Sequence, residues 1–335
     1  MSKIKRYFYI YTIAVCALTL TACITRPKPP EIPIIIAEGV LKGLQEQAVA
    51  LQHERQKRIT EVWYRLTSAN AQFCDSRVKG SLGVGLGYNG LYAKPFHESY
   101  QRLYGIGSTP QIIYLHPKGA AAQAGLKEGD QIIAVDGKTL SKQSAENIDS
   151  WLQDVLLPVL GKEKQVQLTV QDQQGVQSTA TVHPKPVCRH PIKLLSVNAI
   201  SASEVDNLRV YITTGMVRFL KNDDQLAWVL GHELAHIALR SQGSNEQSEF
   251  LADYVGSYFT ARAGYDPEEI IEFWQRWSAE DPPAIALEGH KTHPSIATRI
   301  GKIQAVAKEI QKKRAKKIQL EPNLDAKDSV ISRLF

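Results

Sequence analysis

Residues 231–253 read GHELAHIALRSQGSNEQSEFLAD, and this stretch sets what the rest of the chain has to build around. An α-helix turns about 100° per residue, so side chains four apart stand one turn above another on one face. His232 and His236 therefore point the same way, and Glu233 stands beside that face. Two imidazoles and one further ligand leave zinc an open coordination position, where bound water loses its proton near neutral pH. A carboxylate to one side is placed to take that proton, which predicts Glu233 as a general base.

After His236 the helical pattern continues through Ile237, Ala238 and Leu239, and RSQGSN is turn chemistry, with Gly243 free to take a positive φ. A second run starts near Glu246, with Phe250, Leu251, Tyr254, Val255, Tyr258 and Phe259 at i, i+3, i+4 spacing. Two helices joined by a tight turn run antiparallel, so residues equally far from the turn stand at equal height. His236 and Glu249 satisfy that condition, whereas the rival carboxylate Glu246 lies about a turn closer to the loop. The third ligand is expected to be Glu249. Asp253, four residues on, is expected to accept a hydrogen bond from a ligating imidazole and fix its tautomer. A hairpin whose polar residues only line a solvated face is disfavoured by Leu234, Ala235 and Ile237, which embed them in apolar sequence where unpaired charge is costly.

GHELAHIALR followed by EFLAD resembles metallopeptidase family forty-eight, the zinc endopeptidases that include the CAAX prenyl protease, HtpX and BepA-like enzymes. The family carries His-Glu-x-x-His on one helix and Glu-x-x-Ala-Asp on a later one. The resemblance implies one zinc per chain held by His232, His236 and Glu249, with Glu233 as base and Asp253 behind a ligand. SVNAISASEVDNLRVYITTGMVRFL, from Ser196, resembles the family's edge-strand segment, which implies that Asn198 and Ala199 bind substrate backbone. AGYDPEEIIEFW and THPSIATRI also fit. By the same resemblance His293 and Arg299 approach the metal and stabilise a developing oxyanion. The competing reading is that Pro294 and Ser295 start a helix and Arg299 is a surface cation. The link between the two metal helices is short where many members carry a long insertion.

A second resemblance lies upstream. LHPKGAAAQAGLKEGDQIIAVDGKTL is similar to the centre of a PDZ domain, with Gly125 suited to a helix C-cap and Asp136-Gly137 to a hairpin turn. GSLGVGLG resembles the loop and strand that bind a peptide end in such domains. QVQLTVQDQQGVQSTATV supplies two alternating strands, while SYQRLYGIGSTP has no assigned place. Before this unit, Val40, Leu41, Leu44, Ala48, Leu51, Ile59, Val62 and Leu66 recur near helical spacing, so a long helix is expected to pack on the catalytic domain.

The chain opens MSKIKRYFYIYTIAVCALTLTAC, with basic residues, a short apolar run and small residues before Cys23. That pattern reads as a bacterial lipoprotein signal, with cleavage before Cys23 and lipid on it. Ile24 after the cysteine favours the outer membrane by analogy. The formal charge of +6 includes three cations in the leader, leaving +3, which is no argument for a nucleic-acid partner, and none is expected. Of four cysteines, Cys16 leaves with the leader and Cys23 is lipidated, so Cys74 and Cys188 are expected to pair in an oxidising compartment.

The expected architecture is α+β, a mainly helical zincin-type domain with a small edge sheet and an inserted β-rich PDZ domain. Its parts are a signal at 1–22, a tether at 23–33, a long helix at 34–75, the PDZ unit at 79–186, the peptidase domain at 190–312 and a basic, flexible tail at 313–335. The expected function is a zinc endopeptidase of the bacterial cell envelope, periplasm-facing, acting on proteins or peptides in quality control. The PDZ unit would bind a peptide ligand, and a lipid would tie the chain to the membrane. The alternative is a self-inhibited or weakly proteolytic chaperone that uses the PDZ unit for binding.

Overall fold

The computed structural model describes residues 34–74, 77–140, 148–156, 160, 165–205, 208–240, 245–280 and 294–324. The chain divides into two compact units, Met1–Leu44 and Gln45–Phe335. Cys23 and the whole leader lie outside the described residues. Of the first unit, what is described is the opening of helix α1 (Ile34–Ala69). Its apolar residues Val40, Leu41 and Leu44 are 55–58% exposed, and Leu51 in the next unit is 50% exposed. The stripe that the sequence assigned to core packing is therefore solvent-facing over its first half. No helix among the described residues is long and apolar enough to cross a membrane.

In the second unit the same helix becomes structural. Ile59, Val62 and Leu66 are fully buried with Trp63 in the main core, each aliphatic side chain contributing about 1.5–3 kcal/mol. Polar groups fix the register of this face: Arg58 pairs with Asp223 at 2.6 Å, and the Trp63 indole N–H donates to the His190 carbonyl at 2.8 Å. The helix ends at Ala69, short of the expected position 75.

Strands β1 (Val78–Ser81) and β2 (Val84–Gly87) lead into the inserted unit, followed by helix α2 (His97–Tyr104). Strand β3 (Gln111–Leu115), helix α3 (Ala120–Gln123), strands β4 (Gln131–Val135) and β5 (Lys138–Thr139) and helix α4 (Ile148–Trp151) come next. Strands β6 (Val166–Gln171), β7 (Gln177–Val182) and β8 (Lys185–Cys188) complete it. The main sheet runs β2-β3-β4-β6-β7 around Ile112, Ile132, Leu168 and Val182. The unassigned SYQRLYGIGSTP segment forms α2 and its exit, and packs Tyr100 and Ile106 against Val49 of α1.

The two ends of this unit are tied twice. β1 pairs antiparallel with β8, with Val78 opposite Cys188, and Cys74 is joined to Cys188 by a disulfide. The bridge closes a loop with a sequence separation of 114, and chain-entropy arguments value such a link at about 2–5 kcal/mol. Thermal melts of the Cys74→Ala/Cys188→Ala protein should show a drop of that size. An unchanged melt would mean that the β1–β8 ladder alone holds the junction.

The remaining elements form the helical domain. A three-stranded sheet orders β10 (Ala202–Val205), β11 (Arg209–Thr213) and β9 (Ile192–Leu195), with β11 central, antiparallel to β10 and parallel to β9. Helices α5 (Thr214–Phe219), α6 (Asp223–Leu239), α7 (Glu246–Arg262), α8 (Ile270–Glu280) and α9 (Ile296–Ala315) follow. Residues 225–239 of α6 are all buried, so this helix forms the centre of the domain. The expected flexible tail is corrected in part. α9 continues to Ala315, and beyond it Asn323 donates its backbone N–H to the Tyr254 hydroxyl at 2.8 Å while Leu324 packs on the main core.

Candidate metal centre

Local sequence sets both metal helices. Asn222 caps α6 by accepting the Gln225 N–H, and Arg240 ends it in a left-handed conformation with φ 51°. Asn245 and Ser248 form a reciprocal capping box at the start of α7. Between these caps the helices meet closely at two glycines. A Cβ on Gly256 would lie 2.8 Å from the His232 Cα, and one on Gly231 would lie 2.9 Å from the Gly256 carbonyl oxygen. Only hydrogen at both positions allows this approach, which brings the polar faces of α6 and α7 into one site.

The site is a compact triangle. His232 Nε2 and His236 Nε2 are 3.1 Å apart, and Glu249 reaches them at 3.6 Å and 3.5 Å through its two oxygens. All three residues are buried, and among the described residues theirs is the group able to hold a metal. Two facing imidazole nitrogens at this distance can share at most one proton. A tetrahedral site with bonds of about 2.0–2.1 Å spaces its ligand atoms about 3.3 Å apart, so the triangle fits a small divalent ion with nitrogen and oxygen preference. Glu246 is exposed at the start of α7 and takes no part.

Glu233 stands beside the triangle, 8% exposed, and its Oε2 accepts the Glu204 backbone N–H at 2.7 Å. Burial pushes its carboxyl above the usual range, the direction that suits a general base working near neutral pH. Asp253 Oδ1 lies 2.9 Å from His232 Nδ1, behind the ligand nitrogen. Burial opposes the Asp253 charge, but Arg299 and His232 overrule it and hold this carboxyl below its ordinary value. For His232, burial acts downward, and the Asp253 and Glu249 carboxylates outweigh it, carrying the imidazole up to about 9. The same surplus of negative charge favours a divalent cation.

Three expectations meet different fates here. Arg299 is 5% exposed, so it is no surface cation; its Nε and Nη2 donate to both oxygens of Asp253 at 2.8 Å and 2.6 Å. Those two donors are committed to the carboxylate behind His232, and the third guanidinium nitrogen, Nη1, lies 4.0 Å from Glu249 Oε2. Asn198 and Ala199 lie at the start of the segment, ahead of the edge strand Ala202–Val205. Their carbonyl oxygens would sit 2.0 Å and 2.3 Å from a Cβ on Gly215, and the Asn198 side chain accepts from Arg218 at 3.1 Å. The backbone that meets Glu233 is β10 at Glu204, a position the sequence reading missed because an edge N–H carries no side-chain signature. His293 lies outside the described residues.

Comparison with known proteins bears on this site directly. Peptidase family M48 matches residues 162–247 and 241–307. A PDZ domain matches residues 111–157. Two curated relatives are the mitochondrial metalloendopeptidase OMA1 of Schizosaccharomyces pombe, 29% identical over 32% of this chain and 43% of its own length, and that of Saccharomyces cerevisiae, 25% identical over 28% and 39%. The chain thus spans about two fifths of the length of the curated relatives it matches. A solved photosystem II D1 C-terminal processing protease aligns with 32% of this chain and 23% of its own at 21% identity and a TM-score of 0.22, too slight a likeness to bear on the site.

Proposed function

We propose that this chain is a zinc-dependent endopeptidase of the bacterial cell envelope that cleaves exposed protein segments, with its PDZ unit recognising peptide. The observation that carries the reading is the buried triangle of His232, His236 and Glu249 with Glu233 beside it. When bound, zinc supplies Lewis acidity toward a peptide carbonyl and eases the loss of a proton from water. Glu233 takes that proton and returns it to the departing amine, with the Glu204 N–H holding its carboxylate in place. Asp253 keeps His232 Nδ1 engaged, so that Nε2 faces the metal. The outer edge of β10 is directed at Glu233, an arrangement suited to an extended peptide chain.

In the PDZ unit, β2 is the edge strand of its sheet, and Val84 and Leu86 pack toward the core that includes Trp151 and Leu156. That supports strand addition there as the mode of recognition. The envelope assignment rests on residues 1–23, where a lipid on Cys23 would anchor the chain. A Cys23→Ala protein that remains in the membrane fraction would count against this anchor.

Activity itself is tested with the purified chain, an unfolded protein substrate and a chelator. Cleavage should stop on metal removal and return with about one equivalent of zinc. Cleavage that survives complete metal removal would refute the proposed chemistry.

A further inference from the structure

One aromatic residue near the site is unexplained by ligand geometry, and its placement extends the metal-peptidase reading on which it rests. We propose that Trp274 of α8 is a positioning residue for the metal centre, holding the Arg299 guanidinium where it serves Asp253 and Glu249 together. The Arg299 Cζ lies 4.2 Å from the Trp274 ring centroid and 5.9 Å from that of Trp228. The two indoles stand edge to face at 6.2 Å and 89°, walling the guanidinium on two sides. Trp228 also stacks on the ligand His232 at 5.6 Å and is held by its N–H to Ser257 Oγ at 3.0 Å.

The line of contact runs from ring to ligand. Trp274 faces Arg299; Arg299 donates to both Asp253 oxygens and brings Nη1 within 4.0 Å of Glu249 Oε2; Asp253 meets His232 Nδ1. A bidentate pair with Asp253 keeps the guanidinium and carboxylate roughly coplanar but leaves the arginine stem free to swing that plane. A ring face at 4.2 Å removes this freedom and excludes water from the cation. One guanidinium then steadies a ligand carboxylate and the carboxylate behind a ligand histidine.

Trp274 packs against the main core and meets Phe273 at 5.1 Å between ring centroids, but that packing does not require a ring face over Arg299. Helix α8 is already anchored by Ile270 and Phe273, which are 0% and 2% exposed, whereas Trp274 is only partly buried. Its Nε1–H finds no hydrogen-bond acceptor among the described residues, so its polar atom does not explain its place either. Beyond its contacts with the neighbouring aromatic rings, its ring face is turned to Arg299.

The test is zinc affinity of the full chain, read by competition with a chromophoric chelator. Trp274→Phe keeps a ring face and should stay within about threefold of wild type, while Trp274→Leu should bind zinc about five- to thirtyfold more weakly. Arg299→Lys should lose a similar factor, and adding Trp274→Leu to it should cost nothing further, because the ring acts through the arginine. Trp277→Leu, in the same aromatic cluster with its ring 6.4 Å from Trp274, should leave affinity unchanged. If Trp274→Leu does not fold, Trp274→Met, closer in volume, takes its place. Wild-type affinity in the leucine variant, or an equal loss in Trp277→Leu, overturns the inference. A wild-type chain that takes up no zinc is a different result, since it removes the metal reading itself and this inference with it.

Discussion

The Glu233→Gln protein should retain zinc near one per chain while its peptide hydrolysis falls about a hundred- to ten-thousandfold, the range that general base catalysis supplies. The substitution is nearly isosteric. An amide oxygen can still accept the Glu204 N–H that meets Oε2 at 2.7 Å, and neither imidazole nor Glu249 is altered. What is lost is a group that can take up a proton. Burial already holds the Glu233 carboxyl above its ordinary range, so the wild-type residue accepts a proton more readily than an exposed glutamate. Metal analysis and turnover on the same preparation check the claim together. Turnover at the wild-type level with zinc in place would remove Glu233 from the reaction.

Glu249→Gln should fail in the opposite order, with the metal leaving first. The carboxylate sits 3.5 Å and 3.6 Å from the two histidine nitrogens and is 3% exposed, so an amide there replaces an anion with a weak neutral donor in a buried site. Zinc affinity should drop by more than the ten- to hundredfold that loss of a residue behind a ligand typically costs. Because metal binding is linked to folding, the melting temperature measured in zinc should fall as well. Glu246→Gln, on the exposed start of α7, is the control and should change neither property. Loss of zinc in the Glu246 variant, with retention in the Glu249 variant, would reassign the third ligand.

The pairing of Glu249 with the two histidines was legible because it depends on short-range geometry. Helical spacing puts His232 and His236 on one face, and a tight connection sets the height of the partner helix, so counting outward from the turn reaches Glu249. The Cys74–Cys188 link was legible from the cysteine count, once Cys16 and Cys23 were set aside with the expected leader. Arg299 was harder. Its position in the sequence pointed to the metal, but whether the guanidinium faces substrate or a carboxylate depends on Asp253, 46 residues away in the chain. The first half of α1 misled in the other direction: apolar spacing identifies a face, yet does not specify what covers it, and there Leu41 and Leu44 are exposed.

By itself, then, the sequence determined those features that follow from backbone periodicity and turn chemistry: the two metal helices, the turn after Leu239, the restart near Glu246, and the carboxylate level with His236. The tertiary structure decided how closely those helices meet, through Gly231 and Gly256, and which strand edge lies over Glu233. It also decided that Arg299 turns inward between two indoles to serve Asp253. The physical reason is range. A helix repeats its own geometry every few residues, whereas the separation of two helices and the orientation of a buried cation are set by side chains brought together from distant parts of the chain, whose joint packing no local spacing encodes.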